Sequence, residues 1–240
     1  MSTTPQKPVA VVIGVGPGLG AAVARRFAAG YTVALVARNA DYLAKVAAEI
    51  AAAGGRAHPV AGNTADEAAI ATAFDTIRRE IGDPEVLVYN AAMRPFGGLV
   101  ETKPSTFENT WRVNAFGAFL CAQQVAPAML KAGHGTIIFT GATAGTRPFA
   151  TSAAFGPAKF AMRGLAQVMA RDLGPQGIHV AYVNIDGAID MPFIRRRFPD
   201  LKDEDMLKPA AIADAYWYVA HQDRSCWTQE LDVRPFKEKF

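Results

Sequence analysis

Apolar runs rich in β-branched residues alternate with longer stretches of helical period along nearly the whole chain. The predicted strands are Val9–Gly14, Tyr31–Ala37, Arg56–Ala61, Val86–Asn90, Gly135–Thr140, Ile178–Ile185 and Glu230–Val233. Most of them are continuously apolar rather than alternating, as strands buried on both faces of a parallel sheet must be. Between them, Leu19–Ala29, Tyr42–Ala53, Glu67–Ile81, Thr106–Lys131 and Lys159–Leu173 have helical period and are long enough for the crossovers that parallel strands require. No linker or low-complexity tract interrupts the alternation, so one α/β domain over residues 1–240 is expected, with a doubly wound seven-stranded parallel sheet and helices on both faces. Ligands of such sheets sit beyond the carboxyl ends of the strands.

The first strand runs directly into Gly14-Val15-Gly16-Pro17-Gly18-Leu19-Gly20 and then into an Ala-rich helical stretch. Glycines in a strand–turn–helix context allow a tight turn and let backbone N–H groups approach a pyrophosphate at a helix N-terminus. A Rossmann-like dinucleotide site is therefore expected at Gly14, Gly16, Pro17, Gly18, Leu19 and Gly20. At the end of the second strand, a carboxylate would select NAD by binding the adenosine ribose, but the chain reads Val36-Ala37-Arg38-Asn39. Arg38 suits a 2′-phosphate and stacking on adenine, which favours NADP(H) and leaves NAD(H) as the alternative; the plainer reading is a solvent-exposed arginine at a strand end.

Composition narrows the class without naming a function. Half of the 240 residues are hydrophobic and 20% are charged, as in soluble globular proteins. The N-terminal residues hold no apolar run of signal-peptide length, and no unbroken apolar stretch approaches the roughly 18 residues of a membrane span, so a cytoplasmic home is expected. A net charge of +3 is too small and too scattered to announce nucleic acid or an anionic membrane. Cys121 and Cys226 have no metal-ligand spacing and are expected to be reduced thiols. The basic run Arg195-Arg196-Arg197 is either a solvated face or a place for an anionic group.

Gly14, Gly18 and Gly20, Asn90-Ala91-Ala92 after the fourth strand, Asn114, and Lys159 together resemble the short-chain dehydrogenase/reductase family, from about Val9 to about Arg234. The resemblance implies that Asn63 stands near the adenine, Asn90 and Ala91 beside the cofactor ribose, and Lys159 on the nicotinamide ribose hydroxyls. It makes Asn114 and Lys159 catalytic-site residues. Asp186-Gly187-Ala188-Ile189 takes the place of the family's Pro-Gly turn, where the backbone at Gly187 and Ile189 would meet the nicotinamide carboxamide. It also implies a substrate lid over residues 191–209 and a homodimer or homotetramer built on helices Thr106–Lys131 and Lys159–Leu173. The substrate would be a small carbonyl or alcohol.

Two positions depart from the pattern. Phe155 stands where the family carries its catalytic Tyr, four residues before Lys159, and Ala142 stands where it carries a Ser; the chain resembles a subgroup with Phe at the first of these. A Tyr beside a Lys on one helical face gives a phenol whose pKa is drawn toward neutrality, able to protonate a carbonyl oxygen as hydride arrives. Phenylalanine keeps the ring and loses the proton. General acid catalysis is worth about 10²–10⁴ in rate and an oxyanion donor about 10²–10³, so ordinary carbonyl reduction is expected to be severely impaired. Thr140, Thr143 and Ser152 are nearby hydroxyls. Asp186 is a candidate acid through partial burial, or else a turn-shaping residue. Phe155 has a second reading as a plain core aromatic.

Overall fold

The computed structural model describes residues 7–238. Its strands are β1 (Val9–Ile13), β2 (Thr32–Ala37), β3 (Arg56–Ala61), β4 (Pro84–Tyr89), β5 (Gly135–Thr140), β6 (Ile178–Ile185), the short pair β7 (Ala188–Ile189) and β8 (Met206–Leu207), and β9 (Glu230–Val233). Seven of them form one sheet in the order β3-β2-β1-β4-β5-β6-β9, with every neighbouring pair parallel. The doubly wound architecture follows, and the strand order reverses between β1 and β4, where such sheets open a crevice at their carboxyl edge. β6 is buried along all of its length, its two polar residues included: His179 pairs with the Thr228 carbonyl and Asn184 donates to Asp232.

The helices are α1 (Leu19–Phe27), α2 (Ala40–Ala52), α3 (Glu67–Ile81), α4 (Pro104–Trp111), α5 (Gly117–Ala132), α6 (Phe155–Leu173), α7 (Pro192–Arg197) and α8 (Pro209–Ala220). One face of the sheet is covered by apolar side chains of α3, α5 and α6, including Phe74, Ile77, Val125, Met129 and Met162. The other is covered by α1, α2 and α8 through Val23, Phe27, Leu43, Val46, Ile212 and Tyr216. Several boundaries differ from expectation for local reasons. β1 stops at Ile13 because Gly14 takes a φ of +86°, outside strand geometry. α2 begins at Ala40, where the Asn39 side chain accepts from the Tyr42 N–H and caps the helix. α6 starts before the periodic stretch Lys159–Leu173, at Phe155, as Pro157 requires by fitting only a helix's first turn, so Phe155 and Lys159 share its first turn and a half.

The expected helix Thr106–Lys131 runs from Pro104 to Ala132 but changes pitch in the middle. Residues Arg112–Phe116 form a turn of π-helix joining α4 to α5. Its Val113 carbonyl accepts from the buried Tyr89 hydroxyl, and the Asn114 side chain donates to the Thr110 carbonyl, so side chains replace regular backbone pairing. This helix is also long and apolar enough to cross a membrane by composition, yet half of its most apolar window is buried inside the fold, as in a core helix of a soluble protein.

Candidate active site

The carboxyl edge of β1 and β4 supplies a backbone cradle. A side-chain carbon on Gly14 would lie 2.5 Å from the Ala91 nitrogen, and one on Gly20 would lie 2.3 Å from the Gly14 carbonyl oxygen, so the loop nests at van der Waals limit against itself and β4. Gly16 faces open space. Gly18 holds φ +151° and caps α1 without any side-chain hydrogen bond, and α1 has no acid in its first turn. The first N–H groups of α1 therefore have no partner within the helix and carry its positive dipole end, while buried Leu19 anchors the turn and Pro17 stays at the surface. Arg38, Asn39, Ala40 and Asp41 line an open hollow of about 520 Å³ at the end of β2. Asp41, three residues past Arg38, adds a carboxylate to this hollow. Asn63 is exposed after β3, and its side-chain oxygen accepts from Ala65 N–H at 3.2 Å, shaping the turn into α3.

At the centre, Asn90 links the cradle to the sheet: its Nδ2 donates to the Gly14 carbonyl at 3.1 Å and its Oδ1 accepts from Thr140 at 3.2 Å. Asn114, fully buried in the π turn, donates from Nδ2 to the carbonyls of Met93 and Thr110, both at 2.9 Å, while its buried Oδ1 has no partner. Lys159 is only 2% exposed; its Nζ donates to the Thr140 carbonyl at 2.8 Å and lies 5.5 Å from the centre of the Phe155 ring. Burial pulls its pKa down from 10.5 to about 7. An ammonium with one carbonyl for three N–H donors, an orphaned buried amide oxygen and a glycine cradle that excludes side-chain carbons are what an NAD(P)-type ligand would complete, and the residues present fit such a group.

Ala142 lies half-buried in extended conformation just past β5, and Phe155 is 5% exposed at the start of α6, so neither offers a hydroxyl. Of the nearby hydroxyls, Ser152 donates to the Phe149 carbonyl at 2.6 Å, and Thr140 donates to Asn90 and accepts from Tyr216. Both are engaged within the fold. Asp186, 2% exposed, does not serve as the free acid that burial suggested: both of its oxygens accept from Arg147, at 2.9 and 2.8 Å, and Arg234 stands 3.5 Å away. It is an ion-paired carboxylate that ties the loop after β5 to the turn before β7, nearer the turn-shaping reading. Thr143 is half-buried in the same loop, and its hydroxyl makes no hydrogen bond among the described residues.

Gly187 has φ +146°, with Pro235 and Leu207 packed where a side chain would go, and Ile189 lies in the β7–β8 pair. Beyond it Met191 covers the glycine loop, its sulfur 3.0 Å from where a side-chain carbon on Gly18 would stand. The three arginines of α7 part ways: Arg195 is paired with Asp190 and Asp203, whereas Arg197 stacks its guanidinium 5.9 Å from the centre of the Phe96 ring. Phe96 and Arg94, on the loop leaving β4, are site residues that the motifs did not single out; their position right after Asn90-Ala91-Ala92 was the available signal.

A glycine turn and helix N-terminus at the switch point of a doubly wound parallel sheet, linked through Asn90 and Thr140 to a buried lysine, define a nucleotide-binding protein of the Rossmann-like class. A family model for short chain dehydrogenases matches residues 8–199. The chain belongs to the short-chain dehydrogenase family, whose members are oxidoreductases. A crystal structure of a short-chain dehydrogenase from Rhodopseudomonas palustris superposes with a TM-score of 0.84 and 36% identity, covering 97% of this chain and 100% of that one. A metagenomic short-chain oxidoreductase in complex with NADP does so with a TM-score of 0.84 and 33% identity, over 95% and 97%. The inactive 2-(S)-hydroxypropyl-CoM dehydrogenase 2 of Xanthobacter autotrophicus is 37% identical over 155 residues, 65% of this chain and 66% of that relative.

Proposed function

We propose that the chain is an NADP(H)-dependent oxidoreductase that transfers hydride to or from a small carbonyl or alcohol without the Ser and Tyr hydroxyls of its family, Ala142 and Phe155 standing in their places. The observation that carries this reading is Lys159, buried with a single carbonyl partner in a site that otherwise costs stability to hold it. When bound, the cofactor supplies the hydride; the chain supplies position. The Gly14–Gly20 turn and α1 receive the pyrophosphate, Arg38 the 2′-phosphate, and Lys159 donates to the ribose hydroxyl oxygens. Asn90 fixes the turn through Gly14, Ala91 packs beside it, Asn63 stands at the adenine end, and Gly187 and Ile189 present backbone to the carboxamide. Asn114 holds the Met93 carbonyl and leaves Oδ1 to accept from a water at the reacting end. The NADP bound by the metagenomic relative supports the cofactor choice. Exposed Phe107, Trp111, Phe119, Phe160 and Val168 on α4, α5 and α6 support pairing with further copies of the chain, and a cytoplasmic location fits the family.

A second reading is favoured by the inactive relative at 37% identity: the chain holds NADP(H) without turnover, as a redox sensor or partner subunit. Fluorescence titration of NADPH, followed by a carbonyl and alcohol panel on the native chain and on the double variant Ala142→Ser/Phe155→Tyr, separates the two. Native turnover that the double variant raises by about 10² or more supports the enzyme. Binding with no native turnover, and activity only in the double variant, establishes the sensor. Failure to bind NADPH at micromolar concentration removes both.

A further inference from the structure

The loop leaving β4 carries a cation, Arg94, that nothing among the described residues neutralises. It is pinned at both ends to the walls of the site: Asn114 donates to the Met93 carbonyl, and Gly97 pairs with the segment before α6 through Gly97 N–H to Thr151 O at 2.9 Å and Ala153 N–H to Gly97 O at 3.2 Å. Between the pins, the Arg94 guanidinium carbon lies 5.7 Å from the centre of the Phe155 ring and 5.1 Å from that of Phe96. Arg197 reaches the same Phe96 ring from α7, at 5.9 Å. Neither Arg94 nor Arg197 makes an ion pair or side-chain hydrogen bond among the described residues, although Arg195, two positions away, is paired twice. Glu101 lies against Gly98 in the same loop and pairs with neither. Partial burial also disfavours the charged form of Arg94.

Two guanidiniums without an ion-pair partner within reach of one ring, Arg197 also lying 5.5 Å from the centre of the Phe198 ring, raise the positive potential at the mouth of the site, and a bound anion lowers it. Their planar forks match carboxylate and phosphate oxygens. We propose that Arg94 and Arg197, with Phe96 as the floor, form an anion subsite that holds the carboxylate or phosphate of a small hydroxy or oxo substrate while its reacting carbon lies along the Phe155–Lys159 wall. This deepens the oxidoreductase reading and rests on it for the word substrate.

The test uses fluorine NMR with 4-fluorobenzoate, 4-fluorophenyl phosphate and the neutral 4-fluorobenzamide, titrated into the chain with and without NADPH. At least one anion is expected to bind about tenfold or more tighter than the amide. Arg94→Met and Arg197→Met should each weaken it about tenfold or more, Arg94→Lys should fall in between, and Arg196→Met should change nothing. The better of the two anions identifies the substrate group. The subsite is refuted if the amide binds as well as both anions, or if Arg94→Met and Arg94→Lys both keep native anion affinity. Because the anions are titrated without NADPH as well, failure of the cofactor reading and failure of the subsite give different results.

Discussion

Replacing Lys159 by methionine should make the cofactor-free chain more stable, the opposite of what deleting a well-bonded core residue does. Burial holds the Lys159 ammonium near pKa 7 in the folded chain, against 10.5 for an ordinary lysine. Between those pH values the unfolded chain binds the extra proton, so stability rises with pH across the window, and the cost of the charge is complete below pH 7. That cost is about 4 kcal/mol at pH 7 and under about 1 kcal/mol at pH 10.5. Methionine has nearly the same length and no charge. It forfeits the bond to the Thr140 carbonyl, which costs about 1–2 kcal/mol. The net expectation at pH 7 is a gain of about 2–3 kcal/mol, or roughly 4–10 °C in Tm for a chain of this size. Urea denaturation of native and Lys159→Met chains at pH 7 and pH 10, without cofactor, measures it. The gap between them should shrink toward zero, or reverse, at the higher pH, and NADPH affinity of the variant should fall about tenfold or more as the donor to the ribose is lost. A variant less stable than native at pH 7, or a gap that does not change with pH, would show that Lys159 is not held as a costly cation.

Three further outcomes test other parts of the site. Gly16→Ala adds a carbon into open space, so Tm should stay within about 1–2 °C of native while NADPH affinity, read by fluorescence titration, drops about tenfold or more as the carbon enters the pyrophosphate cradle. Asp186→Asn removes the buried partner of Arg147 and Arg234 and should cost about 2–4 kcal/mol in urea unfolding, less than a fully buried pair because Arg147 is 40% exposed. Gly145→Ala places a carbon 2.3 Å from the Tyr182 hydroxyl oxygen and should cost about 1–3 kcal/mol, and adding Tyr182→Phe, which deletes that oxygen, should recover most of the loss in thermal melts.

The sheet and its long helices were legible because buried parallel strands and crossover helices each impose a period over many residues. Local events inside them were not. The π turn at Arg112–Phe116 depends on the Tyr89 hydroxyl, supplied by a strand more than twenty residues earlier, and no period within the helix encodes it. α8 is apolar on nearly every side, Ala-Ala-Ile-Ala-Asp-Ala-Tyr-Trp-Tyr-Val-Ala after Pro209, so amphipathic period marks it weakly. The glycine cradle could be read because strand, turn and helix are contiguous. The state of Asp186 could not: the sequence left it between a candidate acid and a turn-shaping residue, because the guanidiniums of Arg147 and Arg234 arrive from two other loops. Arg94 was invisible for the same reason, since its meaning comes from Phe155 and from Arg197 on α7.

The cofactor half and the reaction half of this site differ in what they cost the empty chain. On the cofactor side, an ammonium at 2% exposure is unfavourable alone, and the ribose hydroxyls of the proposed cofactor would relieve it, while the uncapped start of α1 at Gly18 leaves N–H groups for its pyrophosphate. On the reaction side the phenyl ring of Phe155 sits within cation–π range of Lys159 and Arg94, which offsets part of the cost of these cations without neutralising either, and it offers no acidic proton. Arg94 can hydrogen-bond a substrate oxygen but stays protonated through ordinary pH, so a proton delivered there must come from water or from the substrate itself. On the proposed oxidoreductase reading, such a site suits reactions in which hydride position is the larger part of the barrier. An anionic substrate drawn onto Arg94 would gain most, because the guanidinium that holds it also stabilises negative charge building on an adjacent oxygen.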